Sequence, residues 1–245
     1  MKRLLLFGDM HCGNELGLTH PHWIAGRAKG ELKKFWNSYK RVLKKIGKVD
    51  IAVGMGDLVD GPGPKDTTHL IETDLSEQTD MAIAAIKEIK ADQMFLIRGT
   101  GYHVDNGFSV EDLVARELGV RIYDHRTIII EGKKYNFSHK VGRSTTPYGK
   151  VSPLAKVIVK NILANLCKME KIADYFFRAH VHYYVGATLG EREAYSNLCL
   201  QLRGPTESKF TRGLEEDQYD VGLLEVLCYN DGIRRIPHYI DNGGI

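Results

Sequence analysis

Three times in the first hundred residues, a short apolar run ends in a polar loop marked by glycine. This repetition constrains the fold more than any other feature of the chain. Arg3 to Phe7 leads into Gly8-Asp9-Met10-His11, and Asp50 to Val53 leads into Gly56-Asp57-Leu58-Val59-Asp60. Gln93 to Ile97 then leads into Arg98-Gly99-Thr100-Gly101-Tyr102-His103. Apolar runs of this length, bounded by Gly, suit strands buried on both faces. The intervening segments read as helices. Leu32, Phe35, Trp36, Tyr39, Val42, Leu43 and Ile46 recur at steps of three and four until Gly47 stops the pattern. A second helix is expected around Leu75 to Lys90, and a third from a capping box at Ser109-x-x-Asp112 to Gly119. In open α/β sheets, functional loops gather at the carboxyl ends of strands. The three loops are therefore expected to meet.

After Gly119 the pattern becomes strand-rich. Arg121 to Tyr123, Thr127 to Ile130 and Lys134 to Phe137 read as short strands, and Ser152-Pro153 opens a helix through Leu166. Strands are expected again at Tyr175 to Phe177, Tyr184 to Leu189 and Asn197 to Leu202. A closing hairpin joins Val221 to Cys228 and Ile233 to Tyr239 through Asn230-Asp231-Gly232. The economical arrangement is an α/β fold in which two sheets form a sandwich flanked by helices. No linker or repeat divides residues 1–245, so one domain is expected.

Composition narrows the function classes. Across 245 residues the formal net charge is +3, too small to make the whole chain a nucleic-acid or membrane binder. No apolar stretch approaches the ~18 residues needed to span a bilayer. Met1-Lys2-Arg3 precedes too short an apolar run for a signal peptide. Cys12, Cys167, Cys199 and Cys228 are widely spaced and form no C-x-x-C. They read as reduced thiols in a cytoplasmic protein.

The ten histidines carry more information. His11 lies two residues after Asp9, His139 follows the Lys134 to Phe137 strand, and His180-Val181-His182 follows Phe176-Phe177. If these segments are extended, the i and i+2 side chains of Asp-x-His and His-x-His point the same way, toward one ion. Asp9, His11, Asp57, His139, His180 and His182 then form a ligand pool, with Asp60 and His103 nearby. Carboxylate and imidazole without thiolate suit Mn, Fe or Zn in a reactive site, not a structural zinc.

The order of these motifs resembles that of the calcineurin-like metallophosphoesterases, whose pattern is Asp-x-His, Gly-Asp-x-x-Asp, Gly-Asn-His, a single His and Gly-His-x-His. Here it reads Asp9-Met10-His11, Gly56-Asp57-Leu58-Val59-Asp60, His103, His139 and Ala179-His180-Val181-His182. The stretch Asp9-Met10-His11-Cys12-Gly13, with Gly17-Leu18-Thr19 and Pro21, also resembles a branch common in phage and prophage genomes. Two departures stand out. Ala179 replaces the usual Gly, and Thr100 or Tyr102 stands where the family has its Asn ligand.

The resemblance implies a four-layer α/β/β/α fold and a dinuclear phosphoesterase. One metal would take Asp9, His11, Asp57 and His182, and the other Asp57, His139, His180 and Thr100, the candidate that directly follows Gly99. Asp57 would bridge the two. The cofactors would be two divalent transition ions, Mn first, with Fe, Zn or Ni as alternatives. Hydrolysis would use a metal-bridging hydroxide, with His103 as the catalytic acid and Asp60 holding its ring.

The expected substrate is a phosphodiester of nucleic acid or nucleotides. The alternatives are a phosphomonoester, a phosphoprotein, or no turnover at all in a metal-dependent binding module. Arg143, on the segment after His139, is a candidate phosphate contact. Residues 29–48 carry Lys29, Lys33, Lys34, Lys40, Arg41, Lys44, Lys45 and Lys48 against Glu31. They read either as a contact face for a phosphate backbone or as a solvated helix face.

Overall fold

The computed structural model describes residues 1–24, 29–61, 69–101, 104–105, 108–144, 146–169, 171–202 and 219–240. Among these residues are four α-helices: α1 (Lys29–Ile46), α2 (Leu75–Ile86), α3 (Val110–Leu118) and α4 (Ser152–Leu166). The first sheet contains β1 (Lys2–Phe7), β2 (Val49–Gly54), β3 (Ala91–Ile97), β6 (Arg121–Tyr123), β12 (Gly222–Cys228) and β13 (Ile233–Tyr239), in the order β13-β12-β1-β2-β3-β6. The second contains β7 (His125–Ile130), β8 (Lys133–Ser138), β9 (Tyr175–Arg178), β10 (Gly186–Leu189) and β11 (Arg192–Ser196), in the order β10-β11-β9-β8-β7. A two-residue ladder, β4 (Val104–Asp105) with β5 (Phe108–Ser109), precedes α3.

Strands β1, β2, β3 and β6 run parallel, as βαβ connections require, and the β12–β13 hairpin closes one edge antiparallel. Because both faces of the first sheet are covered, β1 is apolar on both sides. Leu5 and Phe7 pack in the layer with α1, α2 and α3, while Leu4 and Leu6 pack between the sheets. A third cluster, including Leu154, Ile158 and Phe176, joins α4 to the second sheet. The layers are thus helix, sheet, sheet, helix, as expected.

Local signals explain most boundaries. Asp74 caps α2 by accepting from Ser76 N at 2.7 Å and Glu77 N at 3.4 Å. That helix ends at Ile86, not Lys90. The amides of Glu88 and Ile89 bond back three residues to Ala85 and Ile86, tightening the last turn out of the α-helix.

The largest difference lies in the second sheet. Gly190, at φ +60°, turns the chain so that Arg192–Ser196 pairs with β10 and β9, although its two charges hid the strand. Asn197 to Leu202, expected as a strand, instead crosses toward β1. There the Leu200 amide bonds to the carbonyls of Gly8 and Asp9. No helix among the described residues is long and apolar enough to cross a membrane.

Phe177 is fully buried between the sheets and stacks on Phe137 at 5.6 Å. Phe177→Ala should lower the unfolding free energy by about 3–5 kcal/mol. Leu166→Ala, on the exposed side of α4, should change it by less than about 0.5 kcal/mol. Urea denaturation of the two variants checks this. Equal effects would mean that the inter-sheet layer does not hold the fold.

Candidate metal centre

The loops after β1, β2 and β3 meet through their backbones. Asp9 N donates to Gly56 O at 2.8 Å, and the Asp57 carbonyl accepts from Met10 N at 2.8 Å and His11 N at 3.1 Å. Gly56 sits at φ +89°, and a Cβ there would lie 2.6 Å from the Gly99 backbone. A Cβ on Gly99 would overlap the Asp57 carboxylate. Both glycines are therefore required by close approach.

From β9 the chain delivers His180 and His182, and from β8 it delivers His139. Asp9, His11 and His182 form one group of possible ligands and Asp57, His139 and His180 a second. Within each group the donor atoms lie within 4.8 Å of one another. The groups adjoin. His139 Nε2 lies 3.0 Å from Asp57 Oδ2 and 4.0 Å from Asp9 Oδ1, and His182 Nε2 lies 3.4 Å from Asp9 Oδ1. The His180 amide donates to both Asp9 oxygens at 3.2 Å, while its ring, the most exposed of the six, approaches Asp57 at 3.9 Å.

The reason for this convergence differs from the expected one. Asp9, His11, Asp57, His180 and His182 have φ values of 46°, 44°, 50°, 75° and 59°. They are not alternate residues of extended strands. Each sits in the left-handed region, which non-glycine residues rarely occupy and which concentrates at functional sites. Left-handed residues turn successive side chains inward within one tight loop.

Two of the imidazoles, His139 and His11, are oriented as metal ligands are. His139 Nδ1 donates to the Met55 carbonyl at 2.6 Å, which turns Nε2 toward the two carboxylates. That nitrogen is buried 3.0 Å from Asp57 Oδ2 and makes no well-aligned hydrogen bond among the described residues. His11 Nδ1 lies 2.9 Å from Asp60 Oδ1, and Asn14 Nδ2 donates to Asp60 Oδ2 at 3.2 Å.

Burial and the surrounding charges oppose each other here. Burial raises the Asp9 carboxyl, but His182 and His139 outweigh it and hold the group below the usual carboxylate range. Burial lowers His139, but Asp57 and Asp9 outweigh it and push the imidazole up to about 9. Burial lowers His182 against the pull of Asp9. Buried carboxylates that draw a proton onto His139 would be satisfied equally by cations. This donor set fits divalent transition ions.

Thr100 is in the site, but its amide and hydroxyl both point at Asp57, donating to Oδ1 at 2.6 and 3.1 Å. Tyr102 and His103 lie outside the described residues. The Asp60 carboxylate meets His11 and Asn14, and its expected hold on His103 falls outside the described residues. Arg143 is exposed on the connection from β8 to α4, outside both groups. Cys12 is fully buried with Sγ toward Leu18 O, and burial pushes its thiol far up, so it packs as an apolar side chain. The eight basic residues of 29–48 are all exposed on or just beyond α1; Lys40 pairs with Glu88 and Lys48 with Asp92.

Sequence reasoning missed the supporting residues Asn14, Tyr219 and Glu111. The Tyr219 ring meets His182 edge-on at 4.8 Å. Glu111 is buried, and its carboxylate accepts from Leu58 N at 3.0 Å and Gly99 N at 2.7 Å. A signal for Glu111 was available, because it shares a helical face with Val110, Val114 and Ala115. An acid on an apolar face requires buried partners.

No family model and no curated protein matches the sequence. Solved structures do match. An archaeal phosphodiesterase aligns with a TM-score of 0.50 at 11% identity, covering 96% of this chain and 99% of that one. Vps29 from Entamoeba histolytica aligns at 0.47 with 13% identity, covering 98% and 99%. A predicted phosphoesterase from Streptococcus pneumoniae aligns at 0.40 with 10% identity, covering 97% and 98%. At such identities the likeness concerns fold alone. Two mixed sheets between flanking helices give this chain the α/β/β/α sandwich fold that it shares with the archaeal phosphodiesterase.

Proposed function

We propose that the chain is a metal-dependent phosphoesterase. Its site would take two divalent transition ions, manganese foremost, and hydrolyse phosphodiesters of nucleic acids or nucleotides. One observation carries the reading: two triads of N and O donors adjoin at His139, Asp57 and Asp9, with His139 Nε2 buried and aimed between the carboxylates. Asp9, His11 and His182 would hold one ion and His139 and His180 the other. Asp57 would serve both, having two oxygens. Bound there, the ions would lower the pKa of water and neutralise the phosphate oxygens.

The chain's own groups do the rest. Asp60 fixes the His11 tautomer through Nδ1, and Met55 O does the same for His139. Thr100 holds Asp57 with its hydroxyl and, in this reading, lends an oxygen to the second ion. His103 would supply a proton to the leaving oxygen, a role resting on its place in the sequence after β3 and on the family pattern. Arg143 would pair with a phosphate oxygen. The phosphodiesterase fold neighbour supports the diester over a monoester or a phosphoprotein. A binding module without turnover is the competing reading. It is favoured by Thr100 standing where the family has Asn, with its hydroxyl directed onto a carboxylate.

Protein stripped by chelator should not hydrolyse a phosphodiester reporter, and Mn should restore turnover in proportion to the metal found by elemental analysis. Asp57→Asn should lower activity more than any single change among Asp9, His11, His180 and His182. Full turnover in excess chelator would overturn the reading. Metal uptake without hydrolysis of any phosphate ester would establish the binding module.

His103→Ala should retain both metals and lose turnover by about 10²–10⁴-fold, the usual contribution of a positioned acid. Loss of metal in step with activity would instead make His103 a ligand.

A further inference from the structure

Helix α3 begins where two ligand-bearing loops come together, and its first turn carries Glu111 and Asp112 side by side. Asp112 faces Arg98, which it engages through Nη2 at 2.6 Å and Nε at 3.3 Å. Glu111 turns the other way and is 6% exposed. Its Oε1 accepts the Leu58 amide, the first after Asp57, and its Oε2 accepts the Gly99 amide, the last before Thr100. One carboxylate thus spans the β2 and β3 loops, with one oxygen on each, and both bonds fall on neighbours of candidate ligands. Nothing in the chemistry proposed above uses it. A purely structural role is poorly served by a buried carboxylate, because a buried charge is costly unless something nearby requires it.

We propose that Glu111 is a positioning residue that sets the Asp57–Thr100 half of the metal centre by clamping the loops on which those two residues sit. The inference rests on the reading of the site as a two-cation centre. The clamp holds Gly99 against Asp57, which keeps the Thr100 amide and hydroxyl on the Asp57 carboxylate. The β1 and β9 loops, which deliver Asp9, His11 and His182, are not bonded to Glu111. Its effect should therefore fall unequally on the two ions. In Glu111→Gln, one amide oxygen can accept only one of the two bonds well, because the –NH₂ meets an N–H donor.

The test is Mn titration of metal-free wild-type and Glu111→Gln protein by calorimetry, with the spin-coupled Mn pair followed by electron paramagnetic resonance. Wild type should bind two Mn. In folded Glu111→Gln the weaker step should lose about 10–100-fold in affinity, with loss of the coupled signal, while the tighter step changes less. Glu111→Asp keeps the charge but is too short to reach both amides, and should show a smaller loss in the same step. Two Mn bound by either folded variant as by wild type would overturn the proposal, even if thermal stability fell. If neither variant folds, zinc titration of the wild type decides. The Leu58 and Gly99 amide resonances should shift with the weaker step, and their indifference to it would overturn the clamp. Wild type that binds no metal would instead overturn the two-cation reading itself.

Discussion

Asp57 is gripped at both its main chain and its side chain, and the rest of the site is arranged around that grip. Its carbonyl takes the amides of Met10 and His11, which fixes the first loop, and its carboxylate takes the amide and hydroxyl of Thr100, which fixes the third. The arrangement closes only because Gly56 and Gly99 allow two backbones to touch, with no side chain between them. Removing that approach would separate β1, β2 and β3 at the end where their loops must meet.

Holding six donors this close is unfavourable on its own. Five sit in left-handed backbone, which costs roughly 1–2 kcal/mol per residue for side chains bearing a Cβ. Asp9, Asp57 and His139 are nearly or fully buried, where charge is poorly solvated. Such a conformation persists only where the surroundings overdetermine it. Here the surroundings are the three apolar layers, which lock β1, β2, β3, β8 and β9 in register, so the loops have no alternative end-points. The site is strained because the scaffold is not.

The supporting residues follow one logic. Met55 O and Asp60 each occupy the Nδ1 side of an imidazole, so Nε2 is left to face the centre. Tyr219 bears on His182, and Glu111 ties two loops by their amides. Apart from Asp60, none of these residues belongs to a motif. Asn14, Tyr219 and Glu111 are separated in sequence from the groups they hold, and only the pairing of the β1 and β2 loops, the return of the chain at Tyr219 and the packing of α3 bring them into range.

The layer order and the candidate ligand pool were both legible in the sequence by itself, because both rest on local signals. Two-sided apolar runs demand cover on both faces of a sheet, and Asp-x-His, Gly-Asp and His-x-His remain legible without coordinates. It misjudged the stretch from Gly190 to Leu202, where Arg192 and Glu193 masked a strand and apolar Leu198 to Leu200 imitated one. It also attributed the convergence of Asp9 with His11, and of His180 with His182, to strand alternation. The tertiary structure decided otherwise. Left-handed φ values are imposed by long-range bonds such as His180 N to Asp9 and His11 N to Asp57 O. No local propensity of Asp or His favours them enough to be read from the chain. Which partner each Nδ1 takes, and which acid sits behind the loops, depend on distances set by packing. Those distances exist only once the two sheets and α3 are in place.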